Sequence, residues 1–189
     1  MKMLVNTMRG RIQITTWRLA MQARPSQPPR PLPEQARVEH IQQVPLHFYR
    51  YLYETIGAPW AWVDRRWMGD AELASHVQSE DVEVHVGYLD GVPFGYFELD
   101  ARTVGSIELA YFGLMPEWVG RGVGLALLEA SVIRAWDWAK ARDATRVWVH
   151  TCSLDHPRAL EIYQRAGFSV FEEETHEEWD PRPLPVSPR

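Results

Sequence analysis

The chain has 189 residues, 46% hydrophobic and 24% charged, and a formal net charge of −5. This composition fits one soluble globular domain and excludes wholesale disorder or a collagen-like or coiled-coil rod; the acidic balance argues against a nucleic-acid partner, which asks for a basic patch. The single cysteine, Cys152, excludes an intramolecular disulfide and a Cys-rich zinc site and fits a reducing, cytoplasmic setting.

No apolar run reaches the ~18 residues of a transmembrane helix, so no membrane partner is expected. Met1 to Met21 is interrupted by Arg9, Arg11 and Arg18 and does not read as a secretory signal. Residues 1–11 read as a flexible start, 12–179 as one domain, and 180–189, with four prolines, as a loose tail.

Ile12–Met21 alternates as a first strand. Arg24–Pro33 holds five of the fourteen prolines and is expected to be a plain connector, since proline lacks the donor a strand or helix interior needs. Pro45–Ile56 reads as a helix, with Phe48, Tyr51, Leu52 and Thr55 at helical spacing and Gly57 as its stop. Asp70 is expected to cap a short helix over Ala71–Gln78. Period-two patterning then predicts strands at Val82–Leu89 and Val92–Ala101, joined by an Asp90-Gly91 hairpin turn. Ser106–Met115 is apolar on both faces except at Glu108, which predicts a central strand covered on both sides. Gly120–Arg142 reads as a long helix with Leu128, Val132, Ala135 and Ala139 on one stripe. A strand over Thr145–Cys152, a helix over Asp155–Ala166 and a strand over Phe168–Thr175 complete the order. The class is α/β (α+β): a mixed sheet with helices on both faces.

The most informative stretch is the turn between the central strand and the long helix, with Gly120, Gly122 and Gly124. Glycine lets a backbone approach a ligand, the first helix amides are unpaired, and the dipole with Arg121 favours an anion. A P-loop is excluded because Leu125 and Ala126 follow Gly124 where Lys-Ser/Thr is needed. The two-and-two glycine spacing excludes a dinucleotide fingerprint. A turn that merely lets helix and strand pack closely is the alternative.

Val119-Gly-Arg-Gly122-Val-Gly124 resembles the Q/R-x-x-G-x-G/A loop of the GNAT superfamily of acyl-CoA-dependent N-acyltransferases, with Val119 in place of Gln or Arg. His156-Pro-Arg-Ala159-Leu-Glu-Ile-Tyr163-Gln-Arg-Ala-Gly167-Phe168 resembles the same family's N-x-x-A-x-x-x-Y-x-x-x-G-F, with His156 in place of Asn. The likeness runs from about Val82 to Phe171. It implies a sheet whose central strands, Ser106–Met115 and Thr145–Cys152, splay apart. It also implies acetyl-CoA as co-substrate, with its pantetheine arm on the backbone of Phe112, Gly113 and Leu114. The pyrophosphate would lie on Val119, Gly120, Arg121, Gly122, Val123, Gly124 and Leu125, and His156 would help hold the arm. Tyr163 matches the family's general acid.

Acyl transfer to an amine needs a base, because a lysine-type amine has a pKa of about 10.4. Glu108 is the lone carboxylate of a buried strand, which should raise its pKa toward neutrality. In histone-type members the base lies eleven residues before the Q/R position, and this count from Val119 lands on Glu108. Glu98, on the neighbouring strand, is the second candidate. His150 is read first as a satisfied structural histidine and second as a base or substrate contact. Cys152 reads as a small buried apolar residue. Trp60, Trp62 and Trp67 either line a substrate wall or pack a core; Trp136, Trp138 and Trp148 read as core. Asp64, Arg65 and Arg66 read as a solvated face. No spacing suggests a metal.

The expected activity is N-acetyl transfer to a small-molecule or peptide amine by a monomer or homodimer. The alternatives are a non-catalytic acyl-CoA-binding module and a structural dimerisation domain.

Overall fold

The computed structural model describes residues 10–182. The order is β1 (Arg11–Met21), β2 (Ala36–His40), α1 (Leu46–Gly57), α2 (Asp70–Val77), β3 (Val82–Leu89), β4 (Val92–Asp100), β5 (Ser106–Leu114), α3 (Val123–Ala141), β6 (Arg146–Cys152), α4 (Ala159–Arg165) and β7 (Ser169–Trp179). All seven strands form one sheet in the order β2-β3-β4-β5-β6-β1-β7. Every neighbouring pair is antiparallel except β5 with β6, so the sheet is mixed as the pattern predicts.

Two cores flank the sheet. Val123, Leu127, Leu128, Val132, Ala135 and Ala139 of α3 pack with Ile107, Leu109, Val147 and Val149 on one face. On the other, Tyr49, Leu52, Tyr53 and Ile56 of α1 and Leu73 and Val77 of α2 cover Val84, Val86 and Tyr96. That second cover reaches β3, β4 and part of β5. Truncating Leu128 to Ala would remove about 2–5 kcal/mol, the usual cost of a core leucine, since it is fully buried.

Several local expectations shift. β2 is a short edge strand that the pattern does not announce. The buried stripe of α1 runs through Tyr49, Leu52, Tyr53 and Ile56, whereas Tyr51 is half exposed. Asp70 is the first residue of α2 behind Gly69 and makes no cap; its carboxylate accepts from Arg50 instead, at 2.9 Å. The turn after β5 takes the first residues assigned to the long helix, so α3 starts at Val123. The helix over Asp155–Ala166 shortens to α4, and β7 runs on to Trp179. Of the two expected loose ends, residues 1–9 and 183–189 lie outside the described residues. Among the described residues no helix is long and apolar enough to cross a membrane.

Candidate active site

The site starts with a break in pairing. β5 and β6 run in register from Ser106↔Arg146 to Leu109↔Val149, and the ladder ends there. Past that point β5 is paired only with β4, through Tyr111, Phe112, Gly113 and Leu114, and β6 only with β1. The strands splay from the level of Ala110 and His150, as expected.

A bulge accompanies the opening. Glu98 pairs with Tyr111 but Leu99 with Leu109, so Ala110 is an extra residue. Beyond the bulge, Phe112 and Leu114 pack toward the α3 core, while Tyr111 packs toward α1. Gly113 faces α1 closely: a Cβ there would meet Ile56 Cγ2 at 2.3 Å. Only glycine lets α1 close on the strand at this point. Phe112–Leu114 thus keep one edge unpaired, an arrangement to which an extended chain can add.

The glycine turn follows. Pro116–Trp118 forms one 3-10 turn, and Val119 is extended and half exposed. Gly120 and Gly122 have φ of +81° and +83°, where a side chain is strained, and a Cβ at either would meet open space. Their need is for the backbone conformation, which turns the start of α3 outward. No side chain caps α3, so its first amides lack a side-chain acceptor. Arg121 lies over the Trp118 ring at 5.4 Å, its backbone N–H bonded to the Trp118 carbonyl. Gly124 packs on Leu114. The residues expected to hold pyrophosphate therefore form one uncapped helix start beside the open strand.

Tyr163 of α4 is buried beside Phe112 and Phe168. Burial, with Asp155 adding to it, pushes its phenol well above the ordinary value, so the hydroxyl keeps its proton at neutral pH. His156, at the entrance to α4, accepts from the Arg158 N–H and lies edge-on to Trp60 at 5.0 Å.

Glu108 lies between Ile107 and Leu109 and so points to the face opposite α3. Its Oε1 is 3.0 Å from His150 Nδ1. Trp148, its register partner, is half-buried on the same face, not in the core, and its indole N–H is buried without a hydrogen-bond partner. The hydrogen bond to Glu108 raises the His150 pKa against the opposing effect of burial, with Asp155 and Asp64 helping. His150 is the residue that the sequence pattern places second as a site group. Its signal is parity: it sits two residues after the Trp148 that pairs with Glu108.

Glu98 does not open on this cleft. It is fully buried, with Oε1 accepting from Arg65 at 2.9 Å and Oε2 from the Tyr49 hydroxyl at 2.6 Å. Burial pushes its pKa up, and Arg65 and Tyr49 pull it back. Arg65 is correspondingly buried and lies over the Tyr111 ring at 5.5 Å, which corrects the solvated-face expectation. Asp64 is exposed and accepts from the Tyr111 hydroxyl. Trp62 joins Tyr53 and Tyr111 in an aromatic cluster and donates to Asp155 at 3.4 Å, whereas Trp67 is exposed. Asp155 also accepts from the Thr151 hydroxyl and the Cys152 N–H. Cys152 is half-buried, and burial raises its thiol pKa.

One cluster outside the cleft has no counterpart in the sequence pattern. On the α3 face, His40, Glu83 and His85 bring ligand atoms within 4.8 Å of one another. Both Glu83 oxygens are engaged, by Arg134 and by His85. Burial works against the Glu83 charge, but those hydrogen bonds hold its pKa at about 2.

A split parallel pair, a bulge at the split and an uncapped glycine turn define a fold class. The family model for the acetyltransferase (GNAT) family matches residues 42–168. The chain belongs to that family. Among solved structures it is similar to a GCN5-related N-acetyltransferase from Sphaerobacter thermophilus, at 22% identity and a TM-score of 0.61, over 90% of this chain and 53% of that one. A GCN5-related N-acetyltransferase from Kribbella flavida is 19% identical with a TM-score of 0.55, over 91% and 60% respectively. A spermidine N-acetyltransferase from Vibrio cholerae, solved with CoA and spermine, is 20% identical with a TM-score of 0.53, over 71% and 81%. The chain thus spans about half the length of the first of these. At such identities the likeness concerns the fold. No curated protein matches the chain.

Proposed function

We propose that this protein transfers the acetyl group of acetyl-CoA to a primary amine by direct attack in a ternary complex. The observation that carries the reading is the open β5 edge leading directly into the uncapped glycine turn. The pantetheine arm would add to Phe112, Gly113 and Leu114 as a strand adds to a sheet edge. The pyrophosphate would meet the amides from Gly120 to Leu125, with Arg121 adjoining; the backbone N–H of Arg121 itself is spent on Trp118. Val119 contributes backbone only, and His156 would hold the arm where the family uses Asn.

The reaction needs a proton removed from nitrogen and one supplied to sulfur. Glu108 and His150 are a carboxylate–imidazole pair at the level of the split and supply the first need. Tyr163, protonated and beside Phe112, supplies the second. Glu98 serves the fold instead, because with Arg65 and Tyr49 it ties α1 and the loop after it to β4. The acceptor would enter on the side of Trp62, Tyr111 and Asp64, whose aromatic rings and carboxylate suit an ammonium group.

The test is a screen of thiol release from acetyl-CoA with small amines, polyamines, amino acids and peptides. Amine-dependent release with an acetylated product supports the reading. CoA binding without release for any amine favours the non-catalytic alternative, and absence of CoA binding removes both.

A further inference from the structure

The carboxylate–imidazole pair leaves open which member takes the proton. We infer that His150 is the catalytic base, through Nε2, and that Glu108 is its positioning residue. This assignment rests on the proposed acyl transfer to an amine and deepens it.

The first ground is hydrogen-bond direction. A contact of 3.0 Å between His150 Nδ1 and Glu108 Oε1 requires a hydrogen between them. A carboxylate acting as the positioning group accepts, which assigns the hydrogen to Nδ1. The neutral ring is then the Nδ1–H tautomer, and the lone pair lies on Nε2, at the far side of the ring from Glu108. The second ground is access. The His150 side chain is 46% exposed and that of Glu108 19%. The ring, not the carboxylate, is what an entering amine meets. The third ground is position. Val149 is the last β6 residue in the β5 ladder, so His150 is the first residue past the split.

The carboxylates around the ring favour its charged form. On β5 the facing group is Glu108. From the loop after β6 comes Asp155, and from the loop after α1 comes Asp64; both favour the imidazolium. On β1 the register partner is Arg18, a cation that would oppose it. Arg18 is drawn instead to Glu172 at 2.9 Å and Glu174 at 3.5 Å on β7. Asp100, across from Glu108 on β4, is engaged by Arg102. Glu108, Asp155 and Asp64 therefore all favour the imidazolium formed in the reaction.

In the transfer step the amine nitrogen bonds to the acetyl carbon while the carbon–sulfur bond breaks and its electron pair leaves with sulfur. One N–H proton goes to His150 Nε2, and the sulfur takes a proton from the Tyr163 hydroxyl. Exchange with solvent returns the proton from His150 and restores that of Tyr163. The net change is one proton moved from nitrogen to sulfur.

Two measurements test the assignment on the full chain. The first is a pH titration of the histidine ring nitrogens by NMR, with and without coenzyme A. His150 should titrate above 6.5 and carry its proton on Nδ1 when neutral. Glu108→Gln should move the midpoint down. A neutral ring protonated on Nε2, or a midpoint unmoved in Glu108→Gln, overturns the pair. The second is the pH dependence of kcat/KM with the fastest amine of the screen. His150→Asn should lower kcat by ~10² to 10⁴ with KM for acetyl-CoA little changed, and remove the acid limb. Glu108→Gln should keep the limb but shift it to lower pH. If His150→Asn keeps the parent limb and Glu108→Gln loses it, Glu108 is the base and the assignment is overturned while the acetyltransferase reading stands. If no amine is turned over, the reading itself fails and the assignment with it.

Discussion

Replacing Arg65 by methionine strips a hydrogen-bonding guanidinium from a fully buried carboxylate. Arg65 is 8% exposed at the side chain and Glu98 is 0%, with the Tyr49 hydroxyl as the remaining partner. Because both groups are shielded from water, the discount that applies to surface pairs does not apply here. Removing one partner of such a pair costs about 3–5 kcal/mol. For a chain of this size each kcal/mol moves the midpoint by about 2–4 °C, so the expected fall in Tm is roughly 6–20 °C. The pH dependence has a definite sign. Burial already raises the Glu98 pKa, and losing Arg65 raises it further. A carboxyl raised in the folded state costs stability as pH climbs above its unfolded value of about 4.3. The gap between parent and variant therefore opens above the parent's own raised Glu98 pKa, grows to the variant's folded pKa, and is constant beyond. Differential scanning calorimetry at a series of pH values reads both effects. Adding Glu98→Gln to Arg65→Met should recover part of the loss, since no buried charge remains unpaired. A fall below about 2 °C, or a gap independent of pH, would refute the claim that this pair is structural.

Gly122→Glu should weaken coenzyme A binding at least tenfold by calorimetry, because it strains a positive φ and brings a carboxylate to the expected pyrophosphate; unchanged affinity would remove the turn from the site. Tyr163→Phe should keep the fold and CoA affinity but slow turnover by ~10² to 10⁴, the usual cost of losing a general acid. Cys152 should alkylate slowly with iodoacetamide at pH 7, as burial and Asp155 both raise its pKa, and faster in Asp155→Asn. Fast alkylation of the parent chain would contradict the half-buried, anion-flanked thiol.

Much of this was legible in the residues, and the gaps have physical causes. Period-two runs, the Asp90-Gly91 turn and the three glycines before α3 are local signals, and they located β3, β4, β5 and the turn. The edge strand β2 is a short stretch whose pairing with β3 is entirely tertiary. The burial of Arg65 could not be read locally, because its partner Glu98 lies 33 residues away. Glu98 looked like a site carboxylate for the same reason: its neutralising cation comes from another element. The Glu108–His150 contact spans 42 residues and depends on the parallel register of β5 and β6. Pattern alone predicts that the two strands exist; only their alignment shows which side chains meet.

The central claim is transfer of an acetyl group from acetyl-CoA to nitrogen with no covalent protein intermediate. It is tested by mixing isotopically labelled acetyl-CoA with excess protein, with and without the fastest amine, and following the label by mass spectrometry through one turnover. The account predicts label on the amine nitrogen only when both substrates are present, and an unchanged protein mass throughout. Label on the protein, at Cys152 or elsewhere, or release of labelled acetate in place of acetylated amine, would contradict it.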